Sequence, residues 1–377
     1  MRRIPLDFRL QSIAQDYCKE MEDPDTFNQG SDPMTKLLQL STRLMSTGTV
    51  MKILDQTGRG KYITRKSSLY DAPSKYVLAI RDHYTGLNAL FPSMYHEGVG
   101  QYVDSILTPD EVCRIRVKLP KKSFKPLFEL IVEAMRYDKV QSEILPKYIR
   151  QAGIKTCVYC NAQFATTALL QNIRLVKRKL AKIETREVSC YELDHNKPKS
   201  RYPYLCTNFY NLQPSCGSCN RRKNDRQLDF SLYYEREEEE KAPVHIVLDF
   251  EDIIRFRATN DGKGIKPHLC NAGEDIPPMI ADKTSLVGKM NDMLNLQGIY
   301  DEHEDIVEEI LWKHKIYSEG FMSATIKQIE SLGLKGFDMK RFILGGYYEQ
   351  EEDFLKRPLS ILKNDLWEQL NHTTECH

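Results

Sequence analysis

The sequence predicts an α+β fold in which mainly helical stretches flank a small, cysteine-pinned centre. Three observations carry that expectation. Apolar residues recur at helical spacing on both sides, the middle of the chain loses this period, and two Cys-x-x-Cys pairs bracket the aperiodic part. From residue 1 to about 147, Leu10, Ile13 and Tyr17, then Leu37, Leu38, Leu44 and Met45, fall at roughly the spacing that gives a helix one buried stripe. Breaks at Asp23-Pro24, Gly58 to Gly60 and Phe91-Pro92 divide these helices. The segment TGRGK at 57–61 lacks the full GxxxxGK[ST] spacing and has Tyr62 where a phosphate loop needs a hydroxyl residue, so it reads as a solvated turn. The centre extends over 148–233. In the last stretch, 234–377, the charge run EREEEEK at 235–241 is expected to be a solvated helix face or linker. Two further stripes there, Ile306, Val307, Ile310 and Leu311, and Leu355, Leu359, Leu362, Leu366 and Leu370, read as helical core.

Bulk properties narrow the function classes. A net charge of +1 and a pI near 7.5 exclude a globally basic binder, so any affinity for nucleic acid has to come from a local patch. No run approaches the ~18 apolar residues of a membrane span, and the expectation is a soluble, cytoplasmic protein without membrane contact. Ten cysteines in such a chain point to thiolate chemistry or buried thiols more than to disulfides.

Cys157-Val-Tyr-Cys160 and Cys216-Gly-Ser-Cys219 are separated by 55 residues. A CxxC turn lets two thiolates face one ion, and two such turns complete the closed tetrahedral set that structural zinc prefers. A redox pair would be expected in a thioredoxin-like βαβ unit, which the pattern does not show. Cys190 and Cys206 have no partner at ligand spacing and are expected to be packing residues.

Between the pairs, YELDHNKPKSRYP at 191–203 ends a strand-like run on Asp194 and His195. Asn211 follows in FYNLQPSC, and Asn220 follows the last cysteine in CGSCNRRK. From His195 to Arg226, seven Lys or Arg residues face one acid, Asp225, which favours a phosphate-facing surface. With these residues in this order, the stretch resembles the HNH, or ββα-metal, nuclease family. The resemblance implies a first strand ending at the Asp-His pair, a second strand carrying Asn211, and a helix bearing Asn220. It implies Asp194 and Asn220 as ligands of a catalytic Mg²⁺ or Mn²⁺, His195 as the general base that takes the proton of water, and Asn211 as the residue that holds the loop or the imidazole in place. Lys199, Arg201, Arg221 and Arg222 are candidate phosphate contacts. LNLQGIYDEHEDIVEEIL at 294–311 and KRPLSILKNDL at 356–366 look like the C-terminal helices of bacterial HNH proteins in anti-phage systems, the Septu type and retron-encoded effectors among them. An ATPase of the ABC or SMC-like class commonly accompanies those nucleases. The expected function is therefore a metal-dependent DNA endonuclease in phage defence. An HNH-fold ribonuclease, for instance one cutting tRNA, and a non-catalytic zinc-stabilised nucleic-acid-binding module are the alternatives.

Overall fold

A computed structural model describes the chain except residues 24, 177–178, 237–240, 275–281, 335 and 376–377; for 172–184, 319 and 374–375 it describes the backbone only. The architecture is mixed helix and sheet. The expected charge run at 235–241 falls largely outside the described residues.

The first helix, Phe8–Glu22, starts where the Asp7 carboxylate accepts the Leu10 N–H at 2.7 Å, and it buries Leu10, Ile13, Ala14, Tyr17 and Met21. The second, Pro33–Leu44, is capped by Asp32 on the Thr35 N–H at 2.8 Å and buries Leu37, Leu40 and Leu44. Leu38 and Met45, expected in the buried stripe, are exposed instead, because the stripe runs through Leu40. This part of the chain also holds a four-stranded antiparallel sheet, which helical periodicity did not reveal. Its order is Gly60–Ile63, Val50–Leu54, Ile115–Lys118, Phe124–Pro126. TGRGK forms the turn between the first two of these strands in space, with Asp55 accepting the N–H groups of Thr57 at 2.8 Å and Arg59 at 2.9 Å. That is a solvated Asx turn.

In the middle stretch, the helix Leu145–Ala152 ends at Gly153, whose φ of 82° only glycine adopts cheaply. The first cysteine pair follows. Two strands, Thr167–Val176 and Lys179–Ser189, then make an antiparallel arm that the sequence reading missed. A second, short hairpin pairs Glu192–His195 with Leu212–Ser215, and the helix Gly217–Lys223 follows directly.

Beyond it, a hairpin of Val244–Val247 and His268–Asn271 sits among helices that include Phe250–Thr259, Leu286–Leu294, Glu304–Ile316 and Ser360–Glu375. Val307, Ile310 and Leu311 are buried on one of these helices, and Leu362, Leu366 and Leu370 on another. Leu359 precedes its helix in a left-handed conformation, φ 59°, and is not part of the stripe. Among the described residues no helix is long and apolar enough to cross a membrane.

The three stretches share one apolar core that includes Leu10, Leu145, Leu212, Leu294 and Leu366. Polar ties cross the same boundaries. Ile4–Pro5 pairs in parallel with Tyr233–Tyr234, and Tyr17 donates its hydroxyl to the Thr207 carbonyl at 2.7 Å. The centre is thus packed against both flanks.

Candidate functional site

The two cysteine pairs converge. The sulfurs of Cys157, Cys160, Cys216 and Cys219 lie within 4.8 Å of one another and all four residues are buried. Cys160 and Cys216 are 4.0 Å apart, well beyond a disulfide and close to the roughly 3.8 Å expected between thiolates around one tetrahedral zinc with Zn–S bonds of about 2.3 Å. The cluster can hold a metal ion such as zinc. The local fold prepares it for that. Cys216 occupies the cap of the helix Gly217–Lys223, where the Cys219 N–H points at its sulfur at 3.5 Å, a position that favours a thiolate. Crowding among the four sulfurs pushes the Cys216 and Cys160 thiols down and the Cys219 thiol up, while burial pushes Cys157 up.

Asn161 fixes the first turn. It adopts φ 48°, donates its amide to Thr156 Oγ1 at 3.0 Å and to the Phe354 carbonyl at 2.8 Å, and accepts the Ile361 N–H at 3.1 Å. The Tyr300 hydroxyl adds a bond to the Cys160 carbonyl at 2.7 Å. Of the two leftover cysteines, Cys206 is buried with its sulfur 3.6 Å from that of Met135, but Cys190 is exposed. Cys190 directly follows the arm strand Lys179–Ser189, at the exit from the arm.

The short hairpin and the following helix bring Asp194, His195 and Asn220 into one region, in three different settings. Side chains alternate along a strand, so Glu192 and Asp194 project to one side and Leu193 and His195 to the other. His195 is buried, with Nε2 3.1 Å from the Cys206 carbonyl. A carbonyl only accepts, so Nε2 carries the hydrogen and Nδ1 keeps its lone pair. Burial, with Lys199 nearby, pushes the imidazole down to about 3, so it is neutral at pH 7. The Tyr137 ring packs on it, centroids 5.0 Å apart, and the Lys199 ammonium sits 4.9 Å from the centre of that same ring.

Asn211 is the last residue of a 3-10 turn, immediately before the second strand and not within it. Its side chain clasps the loop between the strands, accepting the Lys197 N–H at 2.7 Å and donating to the carbonyls of Lys197 at 3.1 Å and Leu205 at 3.0 Å. The carbonyl that holds His195 belongs to the next residue, Cys206. Asn208 anchors the same loop to the first stretch of the chain, donating to the carbonyls of Leu87 at 2.6 Å and Leu90 at 2.9 Å and accepting from the Tyr95 hydroxyl at 2.9 Å.

Asp194 is 4% exposed and has a buried cation beside it. Lys223, at the end of the helix and 1% exposed, places Nζ 2.9 Å from Asp194 Oδ2 and 3.0 Å from the His195 carbonyl. Tyr159, from inside the first cysteine turn, donates its hydroxyl to the same carboxylate. Since that hydroxyl has one hydrogen, its 2.7 Å contact with Gln213 requires the glutamine amide to present its NH₂, an orientation that also satisfies the otherwise unpartnered Gln213 nitrogen. Burial pushes the Asp194 carboxyl up, against the pull of Lys223 and Tyr159. Asn220 does not meet Asp194 directly. It donates its amide to Glu192 Oε2 at 2.6 Å, and Arg221 reaches the other oxygen of Glu192 at 3.5 Å.

Glu192, Lys223 and Tyr159 are therefore members of the site that sequence reasoning missed. Glu192 was legible as the residue two before Asp194 on one strand face. The pair Asp194–Lys223 supports a stability expectation. Lys223→Met should cost about 3–5 kcal/mol, because it leaves a buried carboxylate without its cation, and Lys223→Met with Asp194→Asn should recover much of that. Urea midpoints of the two variants check this; equal midpoints for wild type and the single variant would refute it.

The basic candidates divide. Lys199 is exposed over Tyr137, and Arg221 is 73% exposed beside Glu192. Arg201 is exposed but paired with Asp110 at 3.3 Å. Arg222 donates to the Leu294 carbonyl at 2.7 Å, so its guanidinium caps the helix Leu286–Leu294 as well as facing solvent. Compared with protein-family models, curated proteins and solved structures, the chain shows no match.

Proposed function

We propose that this chain is a metal-dependent HNH-type endonuclease that hydrolyses phosphodiester bonds in DNA, built around a structural zinc held by Cys157, Cys160, Cys216 and Cys219. The observation that carries this reading is the state of His195. Its Nε2–H is fixed on the Cys206 carbonyl, its Nδ1 is left as an acceptor, and it follows directly on a carboxylate that faces the other side of the strand. A surface histidine would have neither a fixed tautomer nor a clasped loop behind it.

In this mechanism water gives its proton to Nδ1 of His195 while Asn211 holds the loop that orients the ring. A pKa near 3 is low for a base working at neutral pH. A bound phosphodiester would bring negative charge to the Lys199 side of the ring and offset that lysine's share of the depression, while burial, the larger cause, would ease only as the site takes up water and substrate. Asp194, Asn220 and Glu192 are the residues that would hold a Mg²⁺ or Mn²⁺ ion, with carboxylate and amide oxygens of the hard type such ions take. Asp194 already needs a cation, which Lys223 provides, so binding an ion there requires Lys223 to withdraw. A divalent ion would contribute charge stabilisation of the phosphoryl oxygens and of the departing alkoxide. The likeness of 294–311 and 356–366 to anti-phage HNH proteins supports a defence role with an ABC or SMC-like ATPase partner; co-expression with neighbouring reading frames followed by size-exclusion chromatography tests it.

The central test is cleavage of plasmid DNA and of RNA, side by side, with Mg²⁺ or Mn²⁺. DNA cleavage is the expected result. Cleavage of RNA alone would make the protein a ribonuclease, and binding without cleavage of either would make it a non-catalytic module. Phosphate contacts have their own signature. Lys199→Gln with Arg221→Gln should weaken DNA binding regardless of sequence and reduce the steepness of its salt dependence by about 0.9 per lost contact. Arg222→Gln should change the slope less and loosen the packing of the helix Leu286–Leu294. Fluorescence anisotropy over a salt series reads both; an unchanged slope in the Lys199/Arg221 variant would remove these residues from the interface.

A further inference from the structure

A second cationic cluster lies away from the hairpin. A cavity of about 300 Å³ is lined by Lys155, Tyr347, Lys356 and Arg357, three cations and a phenol with no carboxylate among them. Arg341 completes it from behind. Its guanidinium carbon lies 4.1 Å from the Tyr347 ring centre, and Nη2 donates to the Tyr347 hydroxyl oxygen at 2.7 Å. With that oxygen already accepting, the hydroxyl hydrogen is left for another acceptor. Lys356 and Arg357 stand 5.3 Å and 5.9 Å from the same ring centre.

Lys356 is neutralised in part by Asp353. Among the described residues, the side-chain cations of Lys155, Arg341 and Arg357 have no carboxylate partner. Like charges gathered around one ring repel one another, and the cation–π contacts offset only part of that. An anion relieves it. The scaffold is firm as well. Lys155 is fixed by its N–H on the Leu355 carbonyl at 2.9 Å and by its carbonyl on the Ala165 N–H at 2.8 Å, two residues before the first metal-site cysteine.

We propose that this cavity is a binding site for a phosphate group. The chemistry selects the class: the Arg357 guanidinium whose N–H fork matches phosphate oxygens, the Lys155 and Lys356 ammonium groups as point charges, and the Tyr347 phenol hydrogen as a neutral donor. The volume is at the lower end of small-ligand pockets, enough for a diphosphate or one phosphate of a strand with its sugar. The inference goes beyond the proposed nuclease chemistry and does not depend on it.

Calorimetric titration of the full-length chain with pyrophosphate, without added divalent ions, is the direct test. A second arm measures a fluorescein-labelled single-stranded oligonucleotide by anisotropy. Lys155→Gln with Arg357→Gln should weaken pyrophosphate binding by about tenfold or more, and Tyr347→Phe, which removes only the hydroxyl, by a few-fold. If the oligonucleotide weakens in parallel, the site serves strand phosphates; if it does not, the site serves a free phosphate ligand. Unchanged binding of both probes in a double variant with wild-type circular dichroism and metal content would overturn the proposal. Arg357→Lys, which keeps the charge and loses the fork, should fall between wild type and the double variant.

Discussion

Cys219→Ser is expected to abolish both the bound metal and the folded centre of the protein. All four sulfurs converge within 4.8 Å, so purified wild type should contain about one tightly held zinc per chain by elemental analysis. Loss of one thiolate breaks a closed site whose contribution in small zinc modules is on the order of 10 kcal/mol, more than the whole stability of many domains. The damage should spread beyond the ion. Tyr159 sits inside the first cysteine turn and donates to Asp194, and the Val158 N–H donates to the Pro214 carbonyl at 3.1 Å, so the short hairpin loses its support with the metal. Limited proteolysis should cut between residues 157 and 219 in the variant and spare the wild type. Zinc-free wild type with the same thermal midpoint as the zinc-containing protein would remove the metal from the account of the fold.

His195→Ala is expected to lower cleavage by ~10²- to 10⁴-fold, the usual cost of losing a general base, with zinc content and DNA affinity near wild type. Removing a buried ring that packs on Tyr137 also leaves a cavity, so the thermal midpoint should fall modestly. The two effects separate through Asn211. Asn211→Ala leaves the imidazole in place but releases the loop that carries its carbonyl partner, and should reduce turnover while leaving the ring chemically intact. A His195→Ala protein that cuts DNA at the wild-type rate would end the HNH reading. Cleavage time courses in equal Mg²⁺ with each variant decide it.

What could be seen in advance was what depends on residue type and local spacing. Two CxxC turns announce a four-thiolate cluster wherever they meet, and the stripe Leu362, Leu366, Leu370 needs only the helical period to be recognised. What depends on rotation in space was hidden. Lys223 stands next to Arg221 and Arg222 in one basic run, yet the turn of a single short helix buries it against Asp194 and leaves Arg221 in solvent. Nothing in the run distinguishes the three. The N-terminal sheet was missed for a different reason. Its strands are only three to five residues long, and the glycines that mark the turn of the first hairpin, Gly58 to Gly60, look in the sequence like a break between helices. Leu38 and Met45 show the limit of stripe counting: an apolar residue one step from the buried line is exposed as readily as a polar one.

The Asn161 tie has a consequence for how the protein is made. Its side chain closes loops of 193 residues to Phe354 and 200 residues to Ile361, and its own carbonyl takes the Leu359 N–H at 2.7 Å. Both ends of this tie are held in left-handed backbone, Asn161 at φ 48° and Leu359 at φ 59°, conformations that an isolated segment leaves readily. Contacts of such long range form late, because the entropy of closing the loop precedes any gain. During synthesis at about 5–20 residues per second, the first cysteine turn leaves the ribosome roughly ten seconds or more before its anchoring segment does. The order of emergence therefore leaves the first cysteine turn without this anchor until residues 354–361 have followed it out.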